Sequence, residues 1–296
     1  MFGISRQSYY RSGWRTQYHR DVATQVVSMV QDVRRELPQL GTRKLYHMLH
    51  QPLSDLSIGR DKLFTILKVN NMQIKPIRSY RTTTNSKHML RKHKNLVAGI
   101  VPARPEQIWV SDITYIGNRG SHRYLALVTD AYSKKIVGYD VSESLHAEGS
   151  LRALEMAIGN REYADQPLIH RSDRGIQYCC DQYQKQMEQH GIQCSMTESY
   201  DPYANAVAER VNGILKKEFM LEDYPVKTEI MRVIVAQSIE KYNAIRPHLS
   251  CGMLTPNQMH KQRQIKIKTY KKKGCNPIGL HPSSNKLFLS NPVTLF

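Results

Sequence analysis

The chain has 296 residues, 40% of them apolar and 23% charged, which suits a folded protein with a packed core and argues against a disordered chain. No run of 18 apolar residues occurs, and the Arg-bearing stretch from Met1 to Arg20 lacks the apolar core of a signal peptide, so neither a membrane-spanning helix nor export is expected. Net charge is +18 and unevenly placed: residues 1–104 hold 19 Lys and Arg against 5 Asp and Glu, residues 105–260 hold 16 against 20, and residues 261–296 hold 8 against none. Two basic flanks around a slightly acidic centre suit a polyanion, because each neutralised phosphate releases counterions, although solubility or an acidic membrane would fit the charge alone. Five cysteines, an odd count without C-x-x-C spacing, argue against both a zinc site and a disulfide framework.

In chain order, Val22 to Leu37 reads as a helix with Val26, Val27, Val30 and Val33 at helical spacing, broken by Pro38. Gly41-Thr42-Arg43-Lys44-Leu45 opens a second helix to about His50, with Thr42 as its expected N-cap. Ser57 is the expected cap of a third, from Ile58 to about Asn70, with Leu63, Ile66 and Leu67 inward. With Arg43, Lys44, Arg60, Lys62 and Lys68 outward, residues 1–75 resemble a helix-turn-helix DNA-binding domain, though any small helical bundle has this periodicity. Residues 76–104 lose periodicity and are rich in Lys and Arg, as in an extended basic linker.

From residue 105 the pattern turns to strands: Ile108 to Ile116, Tyr124 to Thr129 and Lys135 to Val141. A helix from Ala147 to Gly159, a strand from Pro167 to His170, a helix from Gln177 to His190 and a strand from Gln193 to Thr197 follow. Helices from Asn205 to Met220 and Lys227 to Tyr242 complete residues 105–260. This order predicts an α/β, ribonuclease-H-like core: a mixed five-stranded sheet with flanking helices, preceded by the small helical domain. Residues 261–296 form a basic tail, with a strand expected near Lys286 to Phe296.

Three acids stand out within this core. Asp112 interrupts a run of strand formers, where Asp is disfavoured, and shares a strand face with Val110 and Thr114. Asp173 follows a strand and precedes Gly175, the place where open α/β sheets put their sites. Glu209 lies on a helix with Gly213 and Lys216 on its face, while Val207, Val211, Ile214 and Leu215 mark the buried side. Taken singly, each also fits an ordinary role: an edge-strand Asp, a turn Asp, an exposed Glu–Lys face. Three acids facing one spot would supply hard oxygen ligands for two divalent ions about 3.5–4 Å apart, the arrangement that activates attacking and leaving oxygens in phosphodiester chemistry.

The residues carry a resemblance. Trp109-x-x-Asp112-Ile113-Thr114-Tyr115, Ser172-Asp173-Arg174-Gly175-x-Gln177-Tyr178 and Asn205-Ala206-x-x-Glu209-Arg210 closely resemble the DDE transposases, and 35 residues separate Asp173 from Glu209, the spacing shared with retroviral integrases. Asn212-Gly213-Ile214-Leu215-Lys216-x-Glu218, Tyr242-Asn243-x-x-Arg246-Pro247-His248 and Leu254-Thr255-Pro256 are similar to the second-frame transposase of the insertion-sequence 3 family. So are Gly41 to Leu45 and Ser5 to Tyr10 near the start. Arg171 stands where many relatives have His, Ala204 where many have Asp, and the His/Cys zinc module of retroviral integrases is absent from the beginning of the chain.

The resemblance implies that Asp112, Asp173 and Glu209 bind two Mg²⁺ or Mn²⁺ ions, cut DNA at the ends of an insertion element and join the freed 3′ hydroxyl to target DNA. Arg210 and Lys216 are the expected phosphate contacts beside the site, with Arg43, Lys44, Arg60 and Lys62 on the N-terminal domain. A homo-oligomer on DNA is expected, possible fusion to the upstream-frame product included, in the cytoplasm of a bacterium at the nucleoid, with no membrane partner. Two other readings share parts of the pattern: a plain ribonuclease-H-type nuclease and a non-catalytic DNA-binding remnant.

Overall fold

The computed structural model describes residues 6–74, 93–97, 99–118, 122–196 and 206–262. The expected strand near Lys286 to Phe296 lies outside them. The first helix, α1 (Arg6–Glu36), is longer than its apolar periodicity implied. Its second half packs on the protein, with Val22, Val26 and Val30, one per turn, buried, whereas residues 6–21 are exposed among the described residues. Three short helices follow, α2 (Thr42–Met48), α3 (His50–Asp55) and α4 (Arg60–Val69), with Leu45, Leu53, Leu63 and Leu67 in their common core.

The caps differ from expectation. Gly41 and Gly59, both in extended conformation, are the N-caps of α2 and α4, and neither makes a side-chain cap bond. Thr42 instead is buried in the first turn of α2. Ser57 adopts a left-handed φ of 55° and closes α3, with Ile58 N donating to Leu53 O at 2.7 Å. Lys44, expected outward, is only 8% exposed, because its ammonium is drawn to the carboxylate of Glu218, 174 residues away. Arg43, Arg60, Lys62 and Lys68 are exposed as expected.

The sheet holds β1 (Ile108–Ile116), β2 (Arg123–Asp130), β3 (Ile136–Ser142), β4 (Leu168–Ser172) and β5 (Ile192–Met196) in the order β3-β2-β1-β4-β5. The pairs β1–β2 and β2–β3 are antiparallel; β1–β4 and β4–β5 are parallel. This is the mixed sheet of a ribonuclease-H-like core. The face bearing Trp109, Ala126, Val128 and Val137 packs on α5 (Ala147–Gly159) and on the helix pair α6 (Ile176–Cys179) and α7 (Asp181–Gln189). Gly138 lets α5 come close: a Cβ there would sit 2.0 Å from Ala153 O. The helix expected from Gln177 to His190 is thus two pieces, broken at Cys180, whose ψ of 148° is extended.

The opposite face bears Ile116, Leu125 and Leu127, under α8 (Ala206–Glu218) and α9 (Thr228–Ala244). That apolar cluster continues without interruption into Val26, Val30, Leu40 and Leu45 of the N-terminal helices. Beyond α9 a 3₁₀ turn (Leu249–Cys251) leads to α10 (Pro256–His260), opened by a Thr255–Gln258 capping box. The end of the expected linker is not free: Val97 is buried and Leu96 N donates to Ser195 Oγ at 2.9 Å, so residues 93–97 rest on β5. Among the described residues no helix is long and apolar enough to cross a membrane.

Candidate active site

Asp112 stands in the central strand β1, half-buried, on the face covered by α8. Parallel pairing of β1 with β4 ends at Val110 and Arg171. Asp112 and Asp173 each lie two residues beyond that last pair, where the strands part and their side chains can meet across the gap. A buried hydrogen bond system fixes this juxtaposition from the other face of the sheet. His170 Nε2 lies 2.7 Å from Ser111 Oγ and 3.0 Å from Tyr183 Oη, tying β1, β4 and α7 together one residue before Asp112 and three before Asp173. Burial holds His170 neutral, its pKa lowered to about 4. The sequence marked His170 only as a neighbour of the acids; its structural role needed the partners from two other elements.

Asp173 Oδ1 accepts Gly175 N at 2.9 Å, closing an Asx-type turn into α6. A Cβ on Gly175 would sit 3.0 Å from that same oxygen, so the glycine keeps the carboxylate's position open. Glu209 is exposed in the first turn of α8, where the helix dipole favours a negative charge. Val211, Ile214 and Leu215 turn to the core, as their spacing implied, whereas Val207 is only partly buried and packs against the separate cluster of Ile108, Val110 and Ala208.

Asp112 feels the other two acids. Asp112 is pushed up to about 7, first by burial and then by the negative charge of Asp173, with Glu209 adding to it. Its hydrogen-bond partners are neutral: Asn212 Nδ2 donates to Oδ2 at 2.7 Å and Ile113 N to Oδ1 at 3.0 Å. Asn212 is the residue sequence reasoning missed; it was quoted within a motif, but only its place one turn past Glu209, facing β1, gives it a role. Among the described residues no three His, Cys, Asp or Glu side chains close around one point as they stand. The donor set nonetheless fits a hard divalent cation: a desolvated carboxylate, whose donors among the described residues are amides, stands beside two more and has charge left to neutralise.

The expected basic contacts fall in three groups. Lys216 Nζ lies 3.4 Å from Thr114 Oγ1, two residues past Asp112, and pairs with Glu222 at 3.0 Å. Arg210 is exposed beside Glu209, and Arg43, Arg60 and Lys62 are exposed on the N-terminal helices, Arg60 pairing with its neighbour Asp61. Lys44 is a correction: buried and paired with Glu218 at 3.2 Å, it presents no charge to a phosphate.

A second group of acids lies around the β2–β3 turn. Glu106 and Asp130 are both 0% exposed. Glu106 accepts Glu162 N at 2.7 Å, Tyr163 N at 3.1 Å and Arg161 Nε at 3.3 Å. Asp130 accepts Glu106 N at 2.8 Å, Ser133 N at 2.6 Å and Ser133 Oγ at 2.7 Å, and Ser133 Oγ in turn lies 2.9 Å from His260 Nδ1. Burial lowers His260, but Asp130 and Glu106 outweigh it and hold the imidazole above its ordinary value. The three residue types are those of a nucleophile triad, but Ser133 stands between Asp130 and His260 instead of at the end, and with Ser133 0% and His260 1% exposed no substrate reaches it.

The mixed five-stranded sheet with flanking helices is the fold of an integrase-type polynucleotidyl transferase core, with Asp112 on its central strand, Asp173 past the neighbouring parallel strand and Glu209 on the helix crossing that face. Models of the integrase core domain match residues 102–202 and 190–256. The chain is 33% identical over 260 residues to the insertion element IS600 uncharacterized 31 kDa protein of Shigella sonnei, covering 86% of this chain and 94% of that one. It is 33% identical over 198 residues to transposase InsF for insertion sequence IS3fB of Escherichia coli K12, covering 66% and 68%. Among solved structures, a chain of the simian T-cell lymphotropic virus intasome in complex with PP2A regulatory subunit B56 gamma aligns with TM-score 0.48 and 19% identity over 78% of this chain and 79% of that one. The chain belongs to the insertion-sequence 3 family of DDE transposases.

Proposed function

We propose that this transposase cleaves DNA at the ends of its insertion element and joins the resulting 3′ hydroxyl to target DNA at the site formed by Asp112, Asp173 and Glu209. What supports this reading is a carboxyl on the central strand, Asp112, whose ionisation is disfavoured by burial and by the neighbouring charges of Asp173 and Glu209, in a chain of this family. Two magnesium or manganese ions, held by the three carboxylates, would supply Lewis acidity to the attacking and leaving oxygens. The protein's part is positional. Asn212 holds one oxygen of Asp112, Gly175 fixes Asp173, and the His170–Ser111 bond keeps both strands in register. Cleavage and joining then differ only in the nucleophile, water first and the 3′ hydroxyl second.

Arg210 and Lys216 are placed to hold phosphates beside the acids, Lys216 by exchanging Glu222 for the DNA backbone. Arg43, Arg60 and Lys62 supply contacts from residues 1–75, read as the end-recognising domain, joined by residues 76–104 to the core at 105–260, with 261–296 as a basic tail. Two ends must be brought together, so the acting species is an oligomer on DNA, with or without fusion to the upstream-frame product. The test is to incubate the full-length protein and its element's terminal DNA with Mg²⁺ and map the cuts. Asp112→Asn, Asp173→Asn and Glu209→Gln should each abolish cleavage and strand transfer while DNA binding persists. Near wild-type cleavage in any one of the three removes that residue from the site, and cutting without strand transfer by the wild type would leave a plain nuclease.

A further inference from the structure

The far end of α8 carries a buried ionic cluster that the chemistry above does not use. Glu218 receives a two-pronged bond from Arg246, Nη2 to Oε1 at 2.7 Å and Nε to Oε2 at 2.8 Å. Lys44 Nζ lies 3.2 and 3.4 Å from the same two oxygens. Arg246 is 1% exposed and Lys44 8%. Arg246 Nη1 also donates to His248 Nε2 at 2.8 Å, and its guanidinium lies 5.7 Å from the centre of the Tyr242 ring. Gln39 N donates to Glu218 O at 3.1 Å, a backbone bond between the same two regions.

Three segments distant in sequence thus meet on one carboxylate: α2, the end of α8, and the segment after α9. A buried ion pair adds little net stability against an apolar replacement, but removing one partner leaves a stranded charge, so such a cluster favours one arrangement over its neighbours. The apolar side of α8, Val211, Ile214 and Leu215, is aliphatic and non-directional. Its directional side-chain bonds to the rest of the core include Asn212 to Asp112 near one end and Glu218 to Arg246 at the other. Glu209 lies nine residues before Glu218, about 13–14 Å along a stiff helix at 1.5 Å per residue.

We propose that Lys44, Glu218 and Arg246 form a positioning joint through which the N-terminal helices set the axial register of α8, and with it the placement of Glu209 against Asp112 and Asp173. Its effect on cleavage rests on the function proposed above; its mechanical part does not. The experiment compares the full-length protein with Lys44→Met, which keeps the apolar stem and removes the charge, and with Lys241→Met. The latter removes the 2.8 Å pair with Glu36, which spans the same two regions outside the joint.

Hydrogen exchange of peptides within 206–218 should accelerate roughly tenfold in Lys44→Met and stay unchanged in Lys241→Met. For cleavage of element-end DNA with Mg²⁺, kcat should fall about tenfold in Lys44→Met with KM within about twofold, the split expected of a misplaced catalytic group. If Lys44→Met does not fold, Lys44→Gln serves in its place. Unchanged exchange in α8, or acceleration confined to α1–α4, overturns the proposal, as does faster exchange with kcat intact. If the wild type cuts no DNA at all, the proposed function fails, and the α8 exchange still decides whether the joint exists.

Discussion

Two groups of acids, one fully buried around Glu106 and Asp130 and one half-buried to exposed around Asp112, have opposite surroundings. Around Glu106 and Asp130 each carboxylate receives a full set of donors, from backbone amides, Ser133 and Arg161, with His260 at 3.6 Å from Glu106. Around Asp112 the nearest charges are of the same sign, and the donors are an amide side chain and one backbone N–H. The first group is sealed; the second opens where β1 and β4 diverge and reaches an exposed Glu209. On the function proposed above, what separates a structural acid from a reactive one is whether its charge has been answered, a distinction that counting acids would not draw.

The widest separation between them is expected from one pair of charge-removing variants. Glu106→Gln takes a partner from a closed network and leaves Arg161 and His260 short of an anion, which should cost about 3–5 kcal/mol in denaturant unfolding. Folded Glu106→Gln protein should cut DNA at the wild-type rate per molecule. Asp112→Asn removes a like-charge repulsion, so its metal-free stability should equal or exceed the wild type's, while cleavage falls at least about a thousandfold. Comparable stability losses in both would erase the distinction drawn between the two groups.

A smaller effect distinguishes the sealed group by pH. His260 has a raised pKa in the folded protein. Its contribution to stability is therefore complete below the unfolded value, near 6.5, and is lost as pH rises through the folded one. His170 has the opposite sign: with a folded pKa of about 4, its contribution is present above about 6.5 and fades as pH falls toward 4. The difference in melting temperature between wild type and His260→Gln should be largest near pH 6 and shrink by pH 9. A difference that grows with pH would mean that His260 is neutral in its pocket and that the acids there are answered by Arg161 and amides alone.

How much of this was legible depended on the range of the interaction. Strand β1 and helix α5 begin and end where local propensity and periodicity put them, because each is defined by its own residues. The α6–α7 break at Cys180 left no trace in a continuous amphipathic pattern. The caps were misassigned to Thr42 and Ser57 because glycines at 41 and 59 reach the extended cap conformation without a side-chain bond. Lys44 read as a surface cation because its partner, Glu218, lies 174 residues away, and no local pattern announces a pairing of that range. The grouping of Asp112, Asp173 and Glu209 is an expectation from spacing and family motifs. What holds Asp112 and its strand beside Asp173, namely Asn212 and the Ser111–His170 bond, belongs to tertiary structure.

The subtlest way to sharpen the contrast lies on α8 itself. Gly213 follows Glu209 by one turn, and a Cβ built on it meets nothing within 4 Å. A helical glycine with open space above it sacrifices about 0.5–1 kcal/mol relative to alanine for no packing reason visible in the protein alone. On the reading proposed here, the space is kept for DNA lying over the helix between Glu209 and Lys216. Gly213→Ala should then raise stability by that amount in thermal unfolding and at the same time raise KM for element-end DNA severalfold, with kcat little changed, because the added methyl meets the bound substrate and not the metal ligands. A stabilised variant with unchanged KM would mean that DNA does not pass over this turn, and would move the substrate path toward Arg210 and the exposed end of the helix.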